Sequence, residues 1–262
     1  MSFDTATAVN GGPGSWSAEA HEGWDIFGVT NGGYLMAMAT KAMEEETDGR
    51  HLISATGSFM NPTNAGPLDI VVEFLKRGRS LSTLRATVSR DGKSLVFVTG
   101  VYADPNRPFN EAIMARGEPP DLPAPQDCIL MEPAIDAPIP PPFTGKVELR
   151  VPPQDVATFG AGGEARSRGW FRLRDGEALS AHAVVLATDA FPPAIFYSNL
   201  AVGWTPTVDL TIQIRNQAPT GWLACQYTTR FVSGGMLEED GEIWDEDGNL
   251  VALSRQLALV PR

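Results

Sequence analysis

The stretch Ala178–Leu200, ALSAHAVVLATDAFPPAIFYSNL, decides how this chain is read. From Ala181 to Phe191 it is apolar on nearly every face, which predicts a helix buried all round. One carboxylate, Asp189, sits near the end of that run, followed by Pro192 and Pro193. The prolines remove backbone donors and crowd the preceding turn, so the helix is expected to kink or stop there. A charge at such a place is expensive. Two readings follow: a carboxylate bonded to amides freed near the prolines, or a desolvated acid of raised pKa with a chemical task.

A second stretch of this kind lies upstream. In GWDIFGVTNGGYLMAMATKAMEEETDG, Asn31 and Gly32-Gly33 mark a reversal that opens a helix from about Tyr34 to Thr47. Its first turns are apolar around most of the circumference, and only Lys41 to Glu46 are charged. Three strand-like runs follow, LISATGSFMNP, PLDIVVEFLKRGRSLSTLRATVSRDG and KSLVFVTGVYA. The middle run is expected to bend at Arg77-Gly78-Arg79, and Asp91-Gly92 signals a hairpin. After the second helix the pattern repeats, with PTVDLTIQIRN, GWLACQYTTRFVSG, a strand around Met236–Trp244 and NLVALSRQLALV. A helix followed by antiparallel strands, twice, reads as an internal duplication. Each unit is an α+β layer with a sheet around one helix, and the two units join edge to edge. Residues 1–104 form the first unit and 143–262 the second. Between them, residues 105–142 form an extended connector that carries eleven of the 21 prolines. Phe109, Ile113, Met114, Ile129, Leu130 and Met131 are expected to pin it to the surface.

Composition narrows the function. Hydrophobic content of 43% and charged content of 20% suit a packed globular core. The formal charge of −12 argues against nucleic acid as a partner. No apolar run reaches the roughly 18 to 20 residues of a membrane span, and MSFDTATAVNGG lacks the features of a secretory signal. Cys128 and Cys225, in no metal-like spacing, predict reduced thiols in a cytoplasmic protein. His21, His51 and His182 are too scattered for a zinc site, so no metal is expected. The acidic cluster from Glu238 to Asp247 reads as a solvated hairpin.

The order of these motifs resembles the double-hotdog acyl-CoA thioesterases, the thioesterase II family and its relatives. FGVTNGGYLMAMATKAM, SFMNP and the run ending in GVYA carry the likeness in the first half; ATDAFPPAIF, PTVDLTIQIRN and DGNLVALSRQLALV carry it in the second. The resemblance implies a double-hotdog fold and hydrolysis of an acyl-CoA substrate without cofactor. It implies assembly into dimers or larger homo-oligomers, and a catalytic trio from the second unit: Asp189, Thr207 and Gln256. Where family members often carry Asp-His-Ser, this chain has Asp209-Leu210-Thr211. The duplication offers an independent check. With the halves overlaid, Asp189 falls opposite Thr40, Thr207 opposite about Ile53 and Gln256 opposite Gly100. The polar trio therefore belongs to one half only, which favours a working site over a structural need for buried polar groups.

Each residue keeps an ordinary alternative. Asp189 would act as general base toward water, or attack the thioester itself through an anhydride, or is the helix-end cap described above. Thr207 would hold that water, or is an ordinary β-branched strand residue. Gln256 would position water or carbonyl, or is the exposed member of an alternating strand. Gly32 and Gly33 would bring backbone N–H groups to an oxyanion at a helix N-terminus, or form a turn needing positive φ. Arg77 and Arg79, in the densest basic region, would contact the phosphates of coenzyme A, or guard an exposed sheet edge. No G-x-S-x-G motif suggests an acyl-enzyme. The alternatives in function are a non-catalytic acyl-binding protein on this fold, a hydratase or dehydratase, which would want an Asp-x-x-x-x-His spacing absent here, and a purely structural role.

Overall fold

The computed structural model describes residues 1–104, 106, 117–134, 139–174, 176–216 and 220–261. Its N-terminal part contains α1 (Phe3–Ala6), β1 (Val9–Gly12), β2 (Ser15–Ala20), the small ribbon β3 (Asp25–Ile26) and β4 (Val29–Thr30), and α2 (Gly32–Glu45). The strands β5 (His51–Phe59), β6 (Gly66–Arg77), β7 (Leu81–Arg90) and β8 (Lys93–Ala103) follow. The C-terminal part contains β9 (Ile129–Leu130), β10 (Val147–Val151), α3 (Pro153–Thr158), β11 (Arg166–Leu173) and α4 (Ala181–Ala187). It closes with β12 (Thr207–Ile214), β13 (Leu223–Thr228), β14 (Val232–Ser233), β15 (Met236–Asp245) and β16 (Leu250–Leu259).

All strands except the β3–β4 ribbon belong to one sheet, in the order β1-β2-β6-β7-β8-β5-β12-β16-β15-β13-β11-β10-β9, with β14 beside β15. The halves meet where β5 pairs antiparallel with β12, from Ser54↔Gln213 to Ser58↔Asp209. On the inner face Tyr34, Met36, Met38, Val184, Val185 and Leu186 are fully buried, in one core cluster with Leu84, Val98, Leu210 and Ile212. This is the double-hotdog architecture that the order of motifs predicts. Asp91 and Gly92 both take positive φ (50° and 73°) in the β7–β8 hairpin, the backbone that a two-residue turn between right-twisted strands requires.

Two features add to the expectation and one departs from it. The lead-in before Trp24 is structured: β2 pairs with β6 and extends the sheet. Within the Pro-rich stretch, Ile129–Leu130 adds a short edge strand to β10, and Met131 packs on the core; Phe109, Ile113 and Met114 lie outside the described residues. The second helix stops at Ala187 rather than running to Phe191, and Pro193 opens a separate 3-10 turn over Ala194–Tyr197. Tyr227 Oη donates at 2.6 Å to the Ala187 carbonyl, which also accepts from Ala190 N at 3.3 Å, so the last carbonyl of the helix is satisfied from outside its regular ladder.

The helices α2 and α4 lie antiparallel, each start against the other's end. Asn31 and Ser180 are the two N-caps, each accepting from the amide three residues on. Counting equally from each cap, Thr40 and Asp189 are equivalent, as are Gly33 and His182. The contacts obey this symmetry: Asp189 meets Gly33 at one end, and Thr40 Oγ1 meets His182 Nδ1 at 3.0 Å at the other. His182 Nε2 lies 2.8 Å from Glu44 Oε2, so the imidazole bridges the Thr40 hydroxyl and the Glu44 carboxylate. Thr40→Val keeps the shape and leaves a buried ring nitrogen without its partner. Urea denaturation should show a loss of about 1–3 kcal/mol, and no loss would mean the hydroxyl contributes nothing to this contact.

Candidate active site

The other end of the helix pair opens into a cavity of about 250 Å³, lined by Asn31, Gly32, Leu35, Phe59, Thr188, Asp189, Phe191, Thr207, Tyr227, Glu239 and Gln256 among others. Asp189 lies just beyond the last turn of α4. Its carboxylate does not bond amides near the prolines; it reaches across to the first turn of α2. Oδ2 accepts from Gly33 N at 2.8 Å and from Asn31 Nδ2 at 3.0 Å, and the same Asn31 group donates to the Asp189 carbonyl at 2.9 Å. Burial pushes the Asp189 carboxyl up to about 6, against the opposing pull of these donors and of the Gly32 amide. Desolvation outweighs hydrogen bonding here because one edge of the group faces an apolar pocket rather than bulk water.

The two glycines serve close approach rather than backbone freedom. Neither is among the residues of positive φ. A Cβ on Gly33 would lie 2.9 Å from Asp189 Cβ, and one on Gly32 would lie 2.8 Å from Phe59. Only glycine lets the end of α4 rest on the start of α2. The expectation that Gly33 offers its amide to an oxyanion is therefore corrected: that N–H is already donated to Asp189.

Thr207 and Gln256 come together in the lining of the cavity that holds Asp189. Gln256 Nε2 donates to Thr207 Oγ1 at 2.6 Å. Gln256 is buried and points to the same side as Ala252 and Ala258, not to solvent. Thr207 reaches that side through an irregularity. In β12, Leu210, Ile212 and Ile214 are buried, so strict alternation would turn Thr207 outward. The pairing with β16 slips between Thr207 and Asp209, leaving Val208 exposed, and the slip re-aims Thr207 into the pocket. Leu210, where family members often have His, is buried in the core and is not among the cavity's lining residues.

Glu239 is a pocket residue that the sequence reading missed. It falls in the acidic cluster that reads as a solvated hairpin, yet its side chain is buried beside Gln256, its register partner on β16. The period-two signal was present: Leu237, Glu239, Gly241 and Ile243 alternate as the buried set of β15. Glu238 and Asp240, on the other face, engage Arg230 and Arg255.

Arg77 and Arg79 lie elsewhere. The Arg77 guanidinium covers the Phe74 ring at 3.3 Å. The turn carrying Gly78 and Arg79 accepts from Arg50, just past the C-terminal end of α2. Asp189 sits at the N-terminal end, about 20 Å away along a helix of this length. The basic run sits at the wrong end of its strands to line this pocket, a placement that strand pairing decides and local sequence does not show. Among the described residues no group of three His, Cys, Asp or Glu is arranged to hold a metal, and no helix is long and apolar enough to cross a membrane.

Comparison with known proteins places this geometry. Residues 20–103 match the acyl-CoA thioesterase N-terminal domain and residues 119–260 the acyl-CoA thioesterase C-terminal domain. A Thermobifida fusca YX protein assigned as a thioesterase II superposes with a TM-score of 0.89 at 31% identity, covering 100% of this chain and 98% of that one. The acyl-CoA thioesterase II TesB2 of Mycobacterium marinum shares the fold, with a TM-score of 0.72 at 17% identity over 99% of this chain and 97% of that one. The thioesterase-like protein TwmA of Talaromyces wortmannii is 23% identical over 94% of this chain and 88% of its own. The chain belongs to the acyl-CoA thioesterase family and is a thioester hydrolase.

A raised carboxyl has a thermodynamic signature. The folded-state value of Asp189, about 6, exceeds the ordinary aspartate value of 3.8. Its contribution to stability is full below about pH 4 and is lost as pH rises through 6. Both contacts to Oδ2 come from donors, and the amide oxygen that Asp189→Asn introduces can accept them without the cost of ionisation. At pH 8 the variant should gain about 2–3 kcal/mol over wild type, with a Tm higher by several degrees, and the gap should close at about pH 4. A gap that does not change with pH would show that the carboxylate is not desolvated.

Proposed function

We propose that this hydrolase cleaves acyl-CoA by general-base activation of water at Asp189. The observation that carries the reading is the meeting, in one apolar cavity, of a carboxylate raised to about 6 and the Gln256–Thr207 pair. A thioester carbonyl is already electrophilic, so hydrolysis needs a positioned water, a base and a donor to the developing oxyanion. Asp189 is mostly ionised at neutral pH, yet holds a proton roughly a hundredfold more tightly than an ordinary aspartate. It takes one proton from water as the remaining hydroxide adds to the carbonyl carbon. Because Thr207 Oγ1 accepts from Gln256, its own hydrogen is turned away from that bond and toward the water. Gln256 Nε2 carries a second hydrogen, which polarises the carbonyl oxygen. The reaction so written calls for no metal or other cofactor. Phe59, Phe191, Phe196 and Leu35 supply apolar wall for the acyl group.

The same reading carries a cytoplasmic location, consistent with the free, buried Cys128 and Cys225, and self-association. Val71, Phe97, Val208 and Leu253 are exposed on the strands and supply apolar surface for it. Light scattering that reports a monomer at micromolar concentration would remove the self-association.

Release of free CoA, followed with a thiol reagent from acetyl- to palmitoyl-CoA and on one aromatic thioester, tests the mechanism. Wild type should turn over some chain length, with kcat rising as pH passes through about 6. Asp189→Asn should lower kcat by about 10²–10⁴, and Gln256→Leu by about 10²–10³. Hydrolysis that survives Asp189→Asn would remove that residue from the chemistry. Binding of acyl-CoA without any hydrolysis would make the protein an acyl carrier on a thioesterase fold.

A further inference from the structure

The cavity holds two carboxyl groups, and the mechanism above uses one. Glu239 reaches it from the middle of β15, opposite Gln256 of β16 and diagonal to Tyr227 of β13, whose register partner is Gly241; all three line the same space as Asp189. One oxygen, Oε2, accepts from Ala194 N at 2.5 Å, an amide at the start of the 3-10 turn that no helix satisfies. That bond alone does not call for a carboxyl group, since an amide side chain would accept equally well. Tyr227 does not supply an alternative acid, because its hydroxyl hydrogen is committed to the Ala187 carbonyl.

We propose that Glu239 is the acid partner of Asp189, donating its carboxyl proton to the leaving sulfur as the carbon–sulfur bond breaks; this rests on the general-base reading of Asp189. The step balances without any further reactant. Water gives one proton to Asp189 and its hydroxide to the carbonyl carbon. The tetrahedral adduct collapses, the carbon–sulfur electron pair leaves with sulfur, and the Glu239 proton makes the thiol of CoA. The products are carboxylic acid and thiol, and transfer of the proton now on Asp189 back to Glu239 restores the starting state. The electrostatics suit the division of labour. Burial raises Glu239 to about 7, above Asp189, and the charges that raise it further are the carboxylates of Asp189 and Glu238. The Tyr227 phenol is itself held well above its usual range by burial and stays neutral. In this division of labour the shared proton rests on Glu239 and Asp189 is the ionised partner, the arrangement a base and an acid in one site require. The two titrate as a coupled pair, so the limbs of a pH profile belong to the pair.

Leaving-group dependence tests this. Expulsion of an alkyl thiolate, whose thiol has a pKa of about 8.5 or above, gains from a proton; expulsion of an aryl thiolate such as nitrothiophenolate does not. Glu239→Gln keeps volume and an acceptor for the Ala194 amide. It should lower kcat on the best acyl-CoA at least tenfold, and on the nitrothiophenyl ester of the same acyl group less than twofold. Wild type on acyl-CoA should show a fall in kcat on the alkaline side that Glu239→Gln lacks. Equal losses on both esters, or an alkaline fall that survives the substitution, would reduce Glu239 to a cap for the 3-10 turn. If the variant does not fold, wild type alone decides: the alkaline fall should be present with acyl-CoA and absent with the aryl ester. Failure of the general-base reading is separable, since Asp189→Asn would then stay active on both esters; a wild type inactive on every thioester would sink both.

Discussion

The Asp189 carboxylate rests on the first turn of α2, and the site is built around that contact. It joins the end of one half's helix to the beginning of the other's, so it exists only when the two units are assembled. The positive end of a 14-residue helix favours the anion, while the surrounding protein opposes it. The balance leaves a carboxyl raised to about 6. Gly32 and Gly33 make the approach sterically possible, and Asn31 serves twice, capping α2 through its carbonyl oxygen and holding Asp189 through its amide.

The duplicated architecture gives the two ends of the helix pair equivalent frames with different side chains. At the equivalent position the first half has Thr40, whose hydroxyl is fully buried against His182 and its Glu44 partner. Neither Thr40 nor His182 lines the cavity that holds Asp189. One end of the helix pair is thus a packed polar contact and the other a pocket. The difference follows from side chains, since the backbone frame is repeated.

The pocket gathers polar groups from four separate elements. Asp189 comes from the end of α4, Thr207 from the slipped start of β12, Gln256 from β16 and Glu239 from β15. Strand neighbours β12, β16 and β15 bring the last three side by side, and the 3-10 turn after Pro193 closes over them through the Ala194–Glu239 bond. Two acids in one apolar space cannot both ionise cheaply. Burial raises both carboxyls, and the charge of Asp189 raises Glu239 further.

Much of this was legible in the chain. Two apolar helices, the Asp-Gly turns and the alternating runs specify a repeated helix-and-sheet unit, because burial periodicity and turn chemistry are local properties that survive without knowledge of the partner. The resemblance to the double-hotdog thioesterases pointed to Asp189, Thr207 and Gln256, and all three line one cavity. What only the tertiary structure decided depends on pairing between distant segments. The carboxylate of Asp189 finds amides 156 residues away rather than those beside the prolines. A slipped register turns Thr207 inward against its own strand's alternation, and Glu239 is drawn out of an acidic run into the cavity. Arg77 and Arg79 come to lie at the far end of α2. Periodicity names the face a residue occupies, but register and helix antiparallelism decide which face meets which, and those are set by the whole sheet at once.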